Sequence, residues 1–116
     1  MSGPSLGQRL RGWIAPTRAE RQRELVGRIE ALTRAMGTDA NAAVLWVSRG
    51  EALLELGRAR EAASDFQRAL TLADEDLSTE SWGVIAQAVR DRALLGLGQA
   101  AALTRTARAR QSMVKG

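Results

Sequence analysis

The residues that most often perform catalysis or bind metal ions are missing from this sequence. Its 116 residues include no histidine and no cysteine, and Lys115 is the only lysine. The chain therefore lacks an imidazole base and a thiolate nucleophile, and carboxylates and hydroxyls are nearly all that remains for chemistry. No stretch matches a phosphate-binding loop, a nucleophile elbow or a dinucleotide-binding fingerprint. We predict that the protein is not an enzyme and has no catalytic residue, no metal site and no cofactor.

The densest group of carboxylates is the run Asp74-Glu75-Asp76. Such a run could bind Ca²⁺, but a calcium-binding loop spaces its oxygen ligands along about 12 residues and closes with a glutamate. This run has neither feature. It is more typical of a solvated acidic loop between two helices.

Charge is distributed unevenly, although the net charge is only +4. Residues 1–36 and residues 99–116 each carry +4, whereas residues 37–98 carry −4. The C-terminal stretch holds four cations and no acid: Arg105, Arg108, Arg110 and Lys115. They could contact phosphates, RNA or anionic lipid with an affinity that falls as salt rises. Alternatively, they form a solvated helix end that complements the helix dipole.

Residues 1–17 are predicted to be a basic amphipathic segment, and the helix within it ends at Pro16. Four apolar residues recur at helical spacing, and two arginines lie off that face: Leu6, Leu10, Trp13, Ile14, Arg9 and Arg11. These six residues have the composition of a helix that docks on an anionic membrane surface or on a partner. Alternatively, the same helix folds back and caps the rest of the protein.

Composition and spacing predict an all-α protein. Ala, Leu, Arg, Glu and Gln dominate, tyrosine is absent and Phe66 is the only phenylalanine, so helices are favoured over strands. Proline and glycine then divide the chain. After the N-terminal helix we predict five more, at 18–36, between Thr38 and Gly57, at 60–73, between Ser78 and Gly96, and at 99–113. Six helices would make three hairpins.

Start and stop signals accompany these helices. Thr17 is the expected N-cap of the second helix, and Thr38 or Asp39 that of the third. Gly57 is expected to allow a left-handed turn, and the segment Gly96-Leu97-Gly98 to end the fifth helix. The fifth helix is expected to bury one face, made of Trp82, Ile85, Val89 and Ala93. The sixth has the weakest apolar stripe, made of Ala100, Leu103 and Ala107.

One stretch, residues 43–76, resembles a tetratricopeptide repeat. It contains the pattern Trp46-x-x-Arg49-Gly50-x-x-Leu53, then Gly57, then Ala62-x-x-x-Phe66-x-x-Ala69. Gly50 and Ala62 are expected where the two helices cross, and Trp46 and Phe66 between this hairpin and its neighbours. Arg49 stands where the family has leucine, and Asp74 where it has proline. A second, degenerate copy is expected to begin near Val84, because residues 92–98 echo residues 50–57 at an offset of 41 residues.

The resemblance implies a short right-handed α-solenoid of about three helical hairpins. Residues 18–113 would form this domain, and residues 114–116 a tail. Members of the family present the first helix of each hairpin along a groove that receives a partner. The corresponding positions here are Val44, Val47, Glu51, Leu54 and Glu55. Alternatively, this face packs against the neighbouring hairpin.

The function that these observations favour is protein binding. The chain would be an adaptor, an assembly factor or a small peripheral subunit, with another protein as its partner. A peripheral membrane subunit anchored by residues 1–17 is the alternative, and an RNA- or ribosome-associated protein is a weaker one, because few aromatic residues are present to stack on bases. Self-association would cover apolar surface that the hairpins leave open. The absence of a signal peptide or an apolar span predicts a cytoplasmic location, or the cytoplasmic face of a membrane.

Overall fold

The structure, a computed structural model, describes residues 15–76 and 83–115. These residues form four α-helices and no strand: α1 Arg18–Thr38, α2 Ala43–Glu55, α3 Ala59–Asp76 and α4 Gly83–Lys115. The prediction of an all-α protein is confirmed for this part of the chain. The expected N-terminal helix and the predicted start of the fifth helix, where Ser78 or Thr79 could cap it, lie outside the described residues.

The helix α1 begins with the N-cap that was predicted at Thr17, and this cap is reciprocal with Glu20. The Thr17 hydroxyl accepts a hydrogen bond from the backbone N–H of Glu20 (3.1 Å), and the Glu20 carboxylate accepts one from the backbone N–H of Thr17 (3.3 Å). Both N–H groups would otherwise lack a partner at the helix start. Leu25 and Met36 are buried, and α1 packs against α2.

The connection from α1 to α2 differs from the prediction. Ala42, not Thr38 or Asp39, occupies the N-cap position of α2, and its side chain makes no capping bond. Asp39 instead lies at the C-terminal end of α1. The indole N–H of Trp46 donates to the backbone oxygen of Ala40 (2.8 Å) and holds the connection against α2. The N-cap predicted at Thr38 or Asp39 is therefore wrong, and a hydrogen bond between residues six positions apart fixes the connection instead.

The turn between α2 and α3 forms around Gly57, which has a φ of +82°. The backbone N–H of Gly57 donates to the Leu54 oxygen and that of Arg58 to the Leu53 oxygen, both at 2.9 Å. A left-handed residue that closes a helix in this way favours glycine, because a Cβ would clash with the backbone. The predicted role of Gly57 is confirmed.

The end of α3 lies beyond the predicted one. The helix continues through the run that was expected to be an acidic loop and ends at Asp76. Carboxylates in the last turn of a helix face the negative end of its dipole. Arg90 of α4 offsets that repulsion at Asp74, with 3.1 Å between guanidinium nitrogen and carboxylate oxygen.

The largest error of the sequence prediction concerns α4, which is one helix of 33 residues. The fifth and sixth helices were expected to separate at Gly96-Leu97-Gly98, and the last to end at Met113. Glycine stops a helix when it takes a left-handed conformation, but among the described residues only Gly57 has a positive φ. The turn at Gly57 therefore has no counterpart at Gly98, although residues 92–98 are similar in sequence to residues 50–57.

Gly96 leaves room for the side chain of Phe66 of α3. This side chain is fully buried and lies between Gly50 of α2 and Gly96 of α4. A Cβ added at Gly50 would stand 2.8 Å from the ring, and one added at Gly96 would stand 2.3 Å from it. Both glycines are therefore needed for three helices to meet at one aromatic ring.

The hydrophobic core extends from this ring. Six of its eleven members are alanines, and such small side chains let α2, α3 and α4 approach closely: Ala43, Val47, Leu53, Ala62, Phe66, Ala69, Leu72, Ala73, Ala86, Val89 and Ala93. Ile29 of α1 packs against the cluster. Successive helices contact one another, and α2 also contacts α4. The burial of Ala62, Phe66 and Ala69 agrees with the sequence prediction.

Candidate partner-binding surface

The predicted partner-binding face of α2 consists of exposed, paired and buried residues. Val44 is 45% exposed and Glu55 is exposed, whereas Glu51 and Leu54 are half-buried. Val47 is fully buried in the core, so the prediction that it contacts a partner is wrong. The reason is that α2 has α1, α3 and α4 as neighbours. Its buried face is therefore wider than that of a helix with one neighbour.

Glu51 is held by α4. Its two carboxylate oxygens accept hydrogen bonds from Nε and Nη2 of Arg92, the first at 3.1 Å. Nη2 also lies 3.5 Å from the Ser48 hydroxyl. The hydrogen-bonded carboxylate raises the pKa of the Arg92 guanidinium above its ordinary value. This bidentate pair connects the middle of α2 to the first third of α4.

Glu55 is held by α1 in the same manner. Nε and Nη2 of Arg21 each donate to a Glu55 oxygen at 2.8 Å, and Nη1 lies 3.1 Å from the Glu24 carboxylate. Hydrogen bonding to the Arg21 guanidinium lowers the pKa of Glu55 below its ordinary value. The two glutamates expected to meet a partner are thus joined to the helices on either side of α2.

A third bidentate pair connects α2 to α3. Nε and Nη2 of Arg49 each donate to an oxygen of Asp65 at 2.7 Å, while Nη1 donates to the Thr33 hydroxyl at 3.2 Å. Asp65 is buried, and its hydrogen bonds raise the pKa of Arg49. The Arg49 guanidinium also lies 5.2 Å from the Trp46 ring centroid, within cation–π range. Arg49 therefore supplies the positive partner of the buried Asp65 carboxylate.

One part of the α2 face is open. It lies between the N-terminal halves of α2 and α4, and we call it the apolar groove. Its volume is about 320 Å³. Val44 and Ile85 form its walls and are 45% and 54% exposed. Its floor and ends are formed by Ala42, Ala43, Ala86, Val89, Asp39 and Asp76. The floor is continuous with the buried core, so an apolar side chain placed here would extend that core.

The prediction that Ile85 is buried is wrong, because its side chain is 54% exposed. It was expected to be buried together with Val89 and Ala93, which are indeed buried. Ile85 lies at the edge of that stripe, one residue before the buried Ala86. The helical period gives the direction of each side chain. It does not indicate how wide the buried part of the helix face is.

Several other residues that shape this surface had no clear signal in the sequence. Arg21 and Arg92 appear as ordinary exposed cations, because their partners are 34 and 41 residues away in the chain. Asp65 was not singled out either. The arginine at position 49, in place of the expected leucine, was the one local sign that an acid lay nearby.

The N-terminal docking candidates all precede residue 15 and lie outside the described residues, as does Trp82: Leu6, Arg9, Leu10, Arg11, Trp13 and Ile14. Among the residues that the structure describes, no helix is both long enough and apolar enough to cross a bilayer. In the same part of the chain, no group of three acidic side chains could hold a metal ion.

Comparisons with protein-family models, with curated proteins and with solved structures find no match to this chain.

Proposed function

We propose that this protein is a non-enzymatic protein-interaction module. It would act as an adaptor, an assembly factor or a peripheral subunit, and bind a segment of another protein in the apolar groove. The observation that carries the proposal is the pair of exposed side chains Val44 and Ile85 over a floor of alanine and valine. A groove of this kind is favourable for a ligand that brings its own apolar side chain, because binding removes both surfaces from water.

The packing of the helices supports a tetratricopeptide-like arrangement for this module. Each helix packs against the next in the chain, and α2 and α4, which would be the first helices of successive repeats, contact each other. Gly50 and Ala62 let α2 and α3 approach, with the Phe66 ring between α2 and α4. In such an arrangement the groove between successive first helices is the natural place for a partner.

The three bidentate pairs of α2 support the same function in a different way. They join α2 to α1 through Glu55, to α3 through Arg49 and to α4 through Glu51. A groove whose walls are fixed before binding loses less conformational entropy when the partner arrives. The glutamates of α2 would therefore position the groove and not contact the partner.

The chemistry of the groove indicates what the partner segment contains. A leucine, isoleucine, methionine or phenylalanine side chain would fill the space between Val44 and Ile85. The carboxylate of Asp39 at the end of the groove would favour a lysine or arginine next to that side chain. The net charge of −4 over residues 37–98 adds attraction for such a basic segment.

A pair of matched variants tests this function. Val44→Asp places a charge in the groove, whereas Val26→Asp places one on α1 at a valine of the same 45% exposure. Both sites are exposed, so both variants should remain folded. Proteins that co-purify with the wild type from the native host are identified, and the candidate is then purified and titrated by calorimetry. We expect Val44→Asp to weaken binding at least about tenfold and Val26→Asp to leave it unchanged.

The proposal fails if the purified candidate binds Val44→Asp and wild type equally well. It also fails if both valine variants weaken binding to the same degree, because the effect would then come from net charge. Circular dichroism of each variant shows whether the helices are intact.

A further inference from the structure

A second groove lies between the turn that joins α2 to α3 and the C-terminal third of α4. Its volume is about 400 Å³. On one side it is lined by Gly57 and Arg60, and on the other by α4, with Leu103 and Ala107 towards the centre. We call it the basic groove. It is separated from the apolar groove by about 18 residues of α4, which is about 27 Å along the helix axis.

The basic groove exists because α4 is much longer than α3. With 33 and 18 residues, the two helices measure about 50 and 27 Å at about 1.5 Å per residue. Ala100 is the last buried side chain of α4. From there to Val114 every side chain is exposed except the half-buried Thr104. The final third of α4 therefore continues beyond the helices that cover its first two thirds.

Three arginines line the basic groove, and none has a carboxylate partner among the described residues: Arg60, Arg108 and Arg110. The interhelical arginines described above are all paired with acids. Arg108 and Arg110 lie two positions apart on α4 and so point to opposite sides of the strip that contains Ala107. Arg60 extends from the facing wall. The groove thus has a small apolar centre with cations on several sides.

We infer that the basic groove binds an acidic segment of a partner protein. Leu103 and Ala107 would contact an apolar side chain of that segment, and the three arginines would pair with its carboxylates. This inference goes beyond the proposed function, because it concerns a second surface of opposite charge preference and does not require the apolar groove to be occupied.

The arrangement of the cations distinguishes this partner from other anionic ones. A flat lipid surface contacts one side of a helix, whereas these cations surround a concave strip. RNA is bound in grooves that supply aromatic rings for base stacking, and none of the residues lining this groove is aromatic. The chain's own residues 1–18 contain Arg9, Arg11 and Arg18 and no acid, so they are repelled by the groove.

The test uses the full chain and a fluorescent 16-residue peptide of glutamate and leucine, with a lysine-and-leucine peptide of the same pattern for comparison. Fluorescence anisotropy should show binding of the glutamate peptide that weakens as salt rises. An excess of unlabelled lysine peptide, whose chemistry suits the apolar groove and not this one, should not displace it. Arg108→Gln/Arg110→Gln should weaken binding about fivefold. Arg23→Gln/Arg34→Gln removes the same charge from α1, at exposed arginines without a described partner, and should leave binding unchanged.

Three outcomes would overturn the inference. The first is equal weakening by both double variants, which would assign binding to net charge. The second is binding of phosphatidylglycerol vesicles or poly(U) RNA through Arg108 and Arg110 without binding of the glutamate peptide. The third is a wild-type dimer in sedimentation that the Arg108→Gln/Arg110→Gln variant loses, which would make a second copy of the chain the occupant.

Discussion

The helix α2 and the final third of α4 both carry charged side chains at helical spacing, but the two regions use charge differently. On α2, Arg49, Glu51 and Glu55 each pair with a residue of another helix. On α4 beyond Ala100, three arginines have no described partner: Arg105, Arg108 and Arg110. The difference follows from the surroundings, because α2 has helices on three sides and the end of α4 does not.

This comparison shows that charge on a helix face has no fixed role. Where the helix is surrounded, an arginine can reach a carboxylate of a neighbour, and the pair fixes the angle between the two helices. Where the helix continues past its neighbours, the same residue type is available to a ligand. Both regions carry arginine on a helix face, so the surroundings decide between these roles for an arginine.

The largest expected effect concerns the point at which α4 changes from packed to uncovered. Gly96→Ala places a Cβ 2.3 Å from the Phe66 ring, whereas Gly98→Ala places one in open space. We expect Gly96→Ala to lower the free energy of unfolding by about 3 kcal/mol through overpacking. Gly98→Ala should raise it by up to about 1 kcal/mol, because alanine is the better helix former. Urea denaturation followed by circular dichroism measures both, and equal stability of the two variants would contradict the packed position of Gly96.

An intermediate effect is expected from replacing one arginine in each region. Arg49→Leu leaves the buried Asp65 without its partner and should lower the free energy of unfolding by about 2 kcal/mol. Arg108→Leu removes an arginine without a described partner and should change it by less than about 0.5 kcal/mol. The double variant Arg49→Leu/Asp65→Leu should recover much of the loss. If Arg49→Leu is as stable as Arg108→Leu in thermal unfolding, the pairing on α2 has no structural importance.

The smallest effect is a pH dependence at Glu55. Its pair with Arg21 lowers the carboxyl pKa below the ordinary value of 4.5. The pair therefore contributes its full stabilisation above about pH 4.5, and this contribution is lost as the pH falls through the lowered pKa. Wild type should be more stable than Glu55→Gln above about pH 5, and the difference should shrink towards pH 3. Glu30→Gln, at an exposed residue without a described partner, is the control. A difference that grows on acidification would show that the pair is absent in solution.

The features that the sequence predicted correctly are those determined within a few residues of the chain. The cap at Thr17, the left-handed Gly57 and the helical class of the described residues all depend on local backbone geometry. Gly50 was predicted to lie where two helices cross, and Phe66 between the hairpin and its neighbours, but the close approach of Gly50 to the Phe66 ring was not predicted. Of the two valines predicted to contact a partner, Val44 is exposed on the surface and Val47 is buried in the core.

The features that the sequence did not predict depend on contacts between distant parts of the chain. Gly96 could have ended a helix, but it lies within one, and its missing side chain leaves room for the Phe66 ring. Glu51 and Glu55 were predicted to face a partner, but each pairs with an arginine of a neighbouring helix, in α4 and α1 respectively. Ile85 lies at the edge of an apolar stripe, and no described neighbour buries it as Ala86, Val89 and Ala93 are buried.

By itself, the sequence determined that this chain forms helices, where two of them begin or end, and that histidine and cysteine chemistry is excluded. Only the tertiary structure decided which charges join helices and which stay available, because a pairing between residues 34 or 41 positions apart depends on how the helices stack. The same packing decided that α4 continues through two glycines and forms one wall of each groove. Local propensity sets the direction of a side chain, and the neighbouring helices determine what it contacts.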